Sequence, residues 1–110
     1  MWIASTSGFY SIVQHRDFPD QVLIRARVKK DLESIFDPSR IVFTPDGDYQ
    51  YRVFLNKAEA GKIFLDKMMK IDYSNFKNHV AQNPEQRDKL DAYHEIWRVM
   101  WDYSTNQQKL

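Results

Sequence analysis

The sequence predicts an α+β fold, with an antiparallel sheet of about four to five strands in the N-terminal half and about four helices, the last one long. Two observations support this. Apolar residues alternate with polar ones in much of the first half of the chain, and they recur at intervals of three and four in the second half. Strands that precede helices, instead of alternating with them, are typical of antiparallel sheets covered by helices on one side. We therefore expect one covered sheet face and one open face.

The first three strands are predicted between residues 2 and 28. A short apolar segment over 2–5 and a β-branched and aromatic segment over 9–13 flank Ser7-Gly8, which favours a hairpin turn. A proline between acidic residues within 15–20 then indicates a loop. The segment 22–28 alternates, so that its apolar residues point to the core while Arg25 and Arg27 point outwards.

A short helix and a second hairpin are predicted next. Leu32, Ile35 and Phe36 have helical spacing, and Pro38 ends the pattern because proline disfavours helix in the residue before it. Segments 41–43 and 49–55 read as strands on either side of a turn containing proline and glycine at 44–47.

Three further helices are predicted after residue 55. Asn56 and Glu59 have the spacing of a capping box, and Asp72 or Ser74 is expected to start the following helix. The run Asn83-Pro84-Glu85-Gln86 predicts the start of the long last helix. Its apolar stripe, which includes Tyr93 and Trp97, is expected to supply much of the aromatic core. We expect one domain over residues 1–104 and a frayed tail over 105–110.

Composition limits the classes of partner. Sixteen Lys and Arg balance fifteen Asp and Glu, so the sequence carries no strong nucleic-acid signal. The chain has no cysteine, no signal-peptide pattern and no apolar run near the roughly 20 residues of a membrane helix. These features predict a cytoplasmic protein without a membrane partner, and no motif calls for a cofactor.

The candidate binding residues are Arg25, Arg27, Arg52 and Tyr51. If the strands pair in the simplest way, Arg52 shares the open sheet face with Arg25 and Arg27, because it belongs to the more polar side of its strand. Guanidinium groups bind phosphate and carboxylate bidentately, and Tyr51 offers a surface for stacking. The alternative is a set of ordinary solvated charges that discourage aggregation.

Catalytic signals are weak. His15 is the best candidate for a general base, since Asp17 and Asp20 are near it in sequence, but a surface histidine fits the same pattern. The three histidines have no metal-ligand spacing, and no known catalytic motif is present. The sequence therefore leans against an enzyme without excluding one.

Five segments carry a resemblance to a known group of proteins: SGFYSIV at 7–13, RARV at 25–28 with DLE at 31–33, TPDGDYQYR at 44–52, IDYSNFK at 71–77 and YHEIW at 93–97. With these segments the chain resembles a family of small bacterial and phage proteins that has no established activity. The resemblance spans almost the whole chain. It implies a single-domain fold and a bacterial or phage origin, and it implies no catalytic role.

Three functions follow as hypotheses. The first is non-catalytic binding of an anionic ligand, such as a nucleotide, through Arg25, Arg27 and Arg52. The second is a protein-interaction module that forms a homodimer or binds a host protein. The third is an enzyme that acts on a phosphoester through His15.

Overall fold

The fold is α+β, as predicted. The computed structural model describes residues 1–108, which form five strands and four α-helices. The strands are β1 (Trp2–Ser5), β2 (Gly8–Gln14), β3 (Gln21–Ala26), β4 (Val42–Phe43) and β5 (Tyr51–Asn56). The helices are α1 (Lys29–Glu33), α2 (Lys57–Met69), α3 (Phe76–Gln82) and α4 (Leu90–Gln108).

The strands form one sheet in the order β1-β2-β3-β5-β4, and all neighbouring strands are antiparallel. Both predicted hairpins are present. Strand β3 ends at Ala26, two residues earlier than predicted, because Val28 already serves as the N-cap of α1. Arg27 therefore lies just beyond the sheet.

Helices α1 and α2 cover one face of the sheet. Tyr10, Ile24 and Val53 project from the three central strands into this layer and are almost completely buried. Leu32 of α1 and Ala60 of α2 belong to the same buried cluster. Burial of each large apolar side chain stabilises the fold by about 1.5–3 kcal/mol. The contact between this sheet face and the two helices is therefore a main source of the stability of the fold.

The described chain divides into two compact units, Met1–Asp72 and the residues from Tyr73 onwards. The first unit contains the sheet with α1 and α2, and the second contains α3 and α4. In the second unit the rings of Phe76 and Tyr93 lie 5.3 Å apart, and Val80 is buried. The single domain expected over 1–104 stays a prediction.

Helix α4 differs from the prediction in its packing. Tyr93 is its only buried aromatic residue, whereas Trp97, Trp101 and Tyr103 are exposed. The expectation that α4 supplies much of the aromatic core is wrong, because helical periodicity shows that residues share a face but not that another element covers the face. No helix within residues 1–108 is both long enough and apolar enough to span a membrane.

Two helix starts test the capping predictions. Asn56 caps α2, as predicted, by accepting a hydrogen bond from the backbone N–H of Glu59 at 2.7 Å. The Glu59 carboxylate instead pairs with Arg40 at 2.6 Å. Helix α3 is capped by Asn75, which accepts from the N–H of Asn78, and neither Asp72 nor Ser74 is its N-cap.

The start and end of α4 also differ from the prediction. Asn83 is the C-cap of α3, and its side chain accepts a hydrogen bond from the N–H of Glu85. A 3₁₀ turn over Arg87–Lys89 follows, so that α4 begins at Leu90. The helix continues through residue 108, past the start of the expected tail, and residues 109 and 110 lie outside the described part.

Candidate functional site

The sheet face opposite α1 and α2 carries a row of five side chains, one from each strand. Register pairs Trp2 with Ser11, Ser11 with Arg25, Arg25 with Arg52, and Arg52 with Val42. Side chains of directly paired residues point to the same face. We call this surface the arginine face, and the predicted sharing of one face by Arg25 and Arg52 is confirmed.

Arg25 and Arg52 lie directly opposite each other on neighbouring strands. Arg25 donates from Nη2 to the buried Ser11 hydroxyl at 2.7 Å, and Arg52 donates from Nη2 to the Tyr49 carbonyl at 3.1 Å. The Nε atoms of both arginines are buried and lack a hydrogen-bond partner within residues 1–108. A guanidinium has five N–H donors, so this pair retains a large unused donor capacity.

No carboxylate of the described residues forms an ion pair with Arg25 or Arg52. Both side chains are half-buried. Their charges therefore interact more strongly with other charges than fully solvated charges do, because the effective dielectric constant is lower. Like charges directly opposite each other on a sheet are unfavourable. The two guanidiniums therefore repel each other, and a bound anion would offset this repulsion.

Tyr49 fixes the position of the arginines. Its ring is only 5% exposed and lies between two guanidiniums, with 4.7 Å to the Cζ of Arg25 and 4.2 Å to that of Arg27. Each such cation–π contact contributes roughly 0.5–2 kcal/mol. Because the Tyr49 carbonyl also holds Arg52, one loop residue contacts all three predicted arginines. No pattern in the sequence marks Tyr49 as part of this site.

Arg27 differs from the other two arginines in its charge balance. Its guanidinium forms an ion pair with Asp48 at 2.9 Å, and both side chains are more than half exposed. Exposed ion pairs of this kind contribute about 0–1 kcal/mol. Asp48 therefore neutralises the charge of Arg27, whereas the charges of Arg25 and Arg52 have no such partner among the described residues.

Tyr51 lies on the other face of the sheet. It pairs with Ala26, whose side chain is buried in the core, and its ring lies 5.3 Å from that of Phe43. Adjacent strand residues point to opposite faces, so Tyr51 and Arg52 cannot share one. The structure thus does not bring Tyr51 together with the arginines.

His15 lies in an aromatic cluster at one end of the arginine face. Its ring is 4.9 Å from Phe18 and 5.6 Å from Phe54, and its Nδ1 accepts the backbone N–H of Asp17 at 3.0 Å. No carboxylate in the described residues pairs with it. The expected orientation by an aspartate side chain is absent there, which leaves His15 without the second group of a catalytic pair.

A separate polar cluster joins the β1–β2 turn to both covering helices. Lys67 donates to the Ser7 hydroxyl at 3.1 Å, and the Tyr10 hydroxyl donates to the Asp31 carbonyl at 2.8 Å. Burial lowers the pKa of Lys67 and raises the pKa of Tyr10. The Tyr10 phenol therefore stays protonated at pH values at which an exposed tyrosine would ionise.

No known protein family, curated protein or solved structure matches this chain. The resemblance to small bacterial and phage proteins stays a prediction. Within residues 1–108, no three His, Asp or Glu side chains are grouped so that they could hold a metal ion. The arginine face is the strongest candidate site, because it carries two guanidiniums that no carboxylate of the described residues neutralises.

Proposed function

We propose that the chain is a non-catalytic binding protein for an anionic ligand, with nucleotides as members of that ligand class. The ligand contacts Arg25 and Arg52 on the arginine face. The observation that carries this proposal is the direct cross-strand pairing of two half-buried guanidiniums that no carboxylate of the described residues neutralises.

The chemistry of the guanidinium group supports a phosphate or carboxylate ligand. Its planar fork matches two oxygens of either group, and charge-assisted hydrogen bonds are about twice as strong as neutral ones. The Nε atoms of Arg25 and Arg52 are shielded, so the ligand oxygens interact with the terminal N–H groups. Tyr49 and Ser11 hold those groups in place before binding, which lowers the entropic cost of association.

The test is binding of inorganic tripolyphosphate, measured by isothermal titration calorimetry. A hydrogen bond to a charged group contributes about 1.5–3 kcal/mol, so Arg25→Gln and Arg52→Gln should each weaken binding roughly 10- to 100-fold. Arg25→Lys keeps the charge without the fork and should fall between parent and Arg25→Gln.

Arg98→Gln is the matched control. Arg98 lies in α4 of the second unit, is exposed and pairs with Glu95 and Asp102, so its loss removes the same charge without changing any residue of the sheet. Circular dichroism confirms that each variant is folded. The proposal fails if the parent does not bind tripolyphosphate, or if Arg25→Gln and Arg52→Gln bind it as tightly as Arg98→Gln.

A second candidate function is self-association through α4. This helix exposes large apolar side chains, and the rings of Trp97 and Trp101 are stacked with centroids 5.6 Å apart. Exposed apolar surface of this kind is typical of interaction sites. Light scattering should detect a dimer that Trp97→Glu disrupts, and a parent protein that stays monomeric at high concentration would exclude the dimer. No such observation favours a phosphoester-acting enzyme.

A further inference from the structure

Exposed aromatic rings flank the arginine pair on two sides. Trp2 occupies the same row as Arg25, two strands away, and is 72% exposed. Phe54 follows Arg52 by two residues on β5, so it points to the same face, and it is 41% exposed. The ring of Trp2 lies 6.0 Å from that of Phe9, and the ring of Phe54 lies 5.6 Å from that of His15. Both rings are therefore supported from one side and leave apolar surface exposed beside the charged pair.

The sheet geometry sets the distances between these groups. Neighbouring strands lie about 4.8 Å apart, which places the Cα atoms of Trp2 and Arg25 roughly 10 Å apart. Two residues along a strand span about 6.8 Å, which is the Cα separation of Arg52 and Phe54. Trp2 is thus displaced from the arginine pair across the strands and Phe54 along a strand, so a ligand that uses both rings carries two flat groups that leave an anionic centre in different directions.

We infer that the ligand of this face is a single-stranded segment of nucleic acid. One of its phosphates binds Arg25 and Arg52, and its bases stack on Trp2 and Phe54. Single-strand binding surfaces combine cationic groups for the backbone with aromatic rings on which bases stack. This inference rests on the proposed function, and it explains the open aromatic rings that a simple anion site would not need.

The near-zero net charge of the chain is compatible with this ligand. The chain carries a formal net charge of +1, so there is no broad electrostatic field, but the sheet register gathers two uncompensated arginines at one place. Few phosphates are then neutralised, and the salt dependence of binding should be shallow. For single strands, the slope of log K against log salt is about −0.7 for each phosphate neutralised.

The experiment compares four probes by competition against a fluorescein-labelled oligothymidylate, read as fluorescence anisotropy. The probes are unlabelled oligothymidylate, an abasic oligonucleotide with the same number of phosphates, a duplex of the same length and tripolyphosphate. The unlabelled single strand should compete best. The abasic strand lacks bases to stack, and the duplex keeps its bases inside the helix, so both should compete much less well.

Side-chain variants test the two stacking positions. Trp2→Ala and Phe54→Ala should each weaken oligothymidylate binding by roughly 5- to 150-fold and leave tripolyphosphate binding unchanged. Trp2→Phe keeps a flat ring and should restore most of the affinity. Phe43→Ala, which removes an exposed ring from the opposite face of the sheet, is the matched control and should bind like the parent.

The outcomes separate this inference from the proposed function. Single-strand recognition is wrong if tripolyphosphate and the abasic strand bind as well as oligothymidylate, or if Trp2→Ala and Phe54→Ala bind oligothymidylate like the parent. Anion binding then still stands if tripolyphosphate binds the parent and Arg25→Gln weakens that binding. If none of the probes binds, both proposals fail. If the single strand binds best and loses affinity in both ring variants, the inference is supported.

Discussion

Two of the three glycines of the first unit, Gly8 and Gly61, offer a paired test of its packing, because the same substitution should have opposite effects at them. A Cβ at Gly8 would lie 2.6 Å from the Asp31 Cβ and 2.8 Å from the Tyr10 hydroxyl. A Cβ at Gly61, in α2, would meet no atom within 4 Å. Gly8→Ala should therefore destabilise the fold, and Gly61→Ala should stabilise it.

The magnitudes follow from these contacts. Asp31 and Tyr10 are both almost fully buried, so neither has room to move away from a methyl group at position 8. Overpacking of this kind costs about 1–3 kcal/mol, and loss of the Tyr10 hydrogen bond to the Asp31 carbonyl would add about 1 kcal/mol. At Gly61, alanine should add about 0.5–1 kcal/mol through better helix formation.

The assay is urea unfolding followed by tryptophan fluorescence. Trp2 is the only tryptophan of the first unit, so both glycine variants are made with Trp97→Phe and Trp101→Phe. Trp2 then reports on the sheet alone. With an m-value of about 1–2 kcal/mol/M, the unfolding midpoints of the two variants should differ by at least about 1 M.

Equal midpoints for Gly8→Ala and Gly61→Ala would refute this reasoning. They would mean that the β1–β2 turn does not approach Asp31 as closely as the structure has it. A lower midpoint for Gly61→Ala than for the parent would contradict the open environment of α2 at that position.

Two further predictions concern a helix cap and a buried phenol. Asn56→Ala should lower the free energy of unfolding by about 1 kcal/mol, as measured by urea unfolding, while Asn56→Asp should keep most of it because the accepting oxygen remains. Burial raises the pKa of Tyr10, so the folded state keeps this proton while the unfolded state loses it near pH 10. Stability should therefore fall as the pH rises above about 10, and Tyr10→Phe should reduce that fall, which unfolding curves across this range measure. Stability that is independent of pH there, or a fall that Tyr10→Phe does not change, would contradict the assignment.

The arginine pair could be predicted because it depends on simple alternation. Arg25 and Arg52 each occupy the polar side of a strand, and the two strands pair with those sides aligned. Tyr51 is the neighbour of Arg52 in sequence, yet the same alternation puts it on the core face. Alternation thus predicts that Arg25 and Arg52 share a face, but it does not predict that Tyr49 is the tyrosine in contact with them.

Tyr49 could not be found in this way because it precedes β5. By strand alternation it would join Tyr51 and Val53 on the core side, but it belongs to the loop that ends where β5 begins. The loop turns its ring between Arg25 and Arg27 instead. Loop conformation depends on tertiary contacts that local sequence patterns do not encode.

The helix starts show a similar limit. Asn56 caps α2 as its spacing predicts, whereas the equally suggestive Asn83 ends α3 and shapes the following turn. An asparagine side chain accepts backbone N–H groups in caps and in turns alike. The sequence therefore indicates a chain reversal near Asn83 without specifying which element it bounds.

The row of five side chains on the arginine face has a consequence for how this protein can change. Backbone hydrogen bonds between strands align the row, while the core on the opposite face supplies the stability. Substitutions at Trp2, Arg25, Arg52 or Val42 therefore leave the alignment of their neighbours intact. The fold separates residues that carry stability from residues free to diversify, so new ligand preferences can arise at this surface one position at a time.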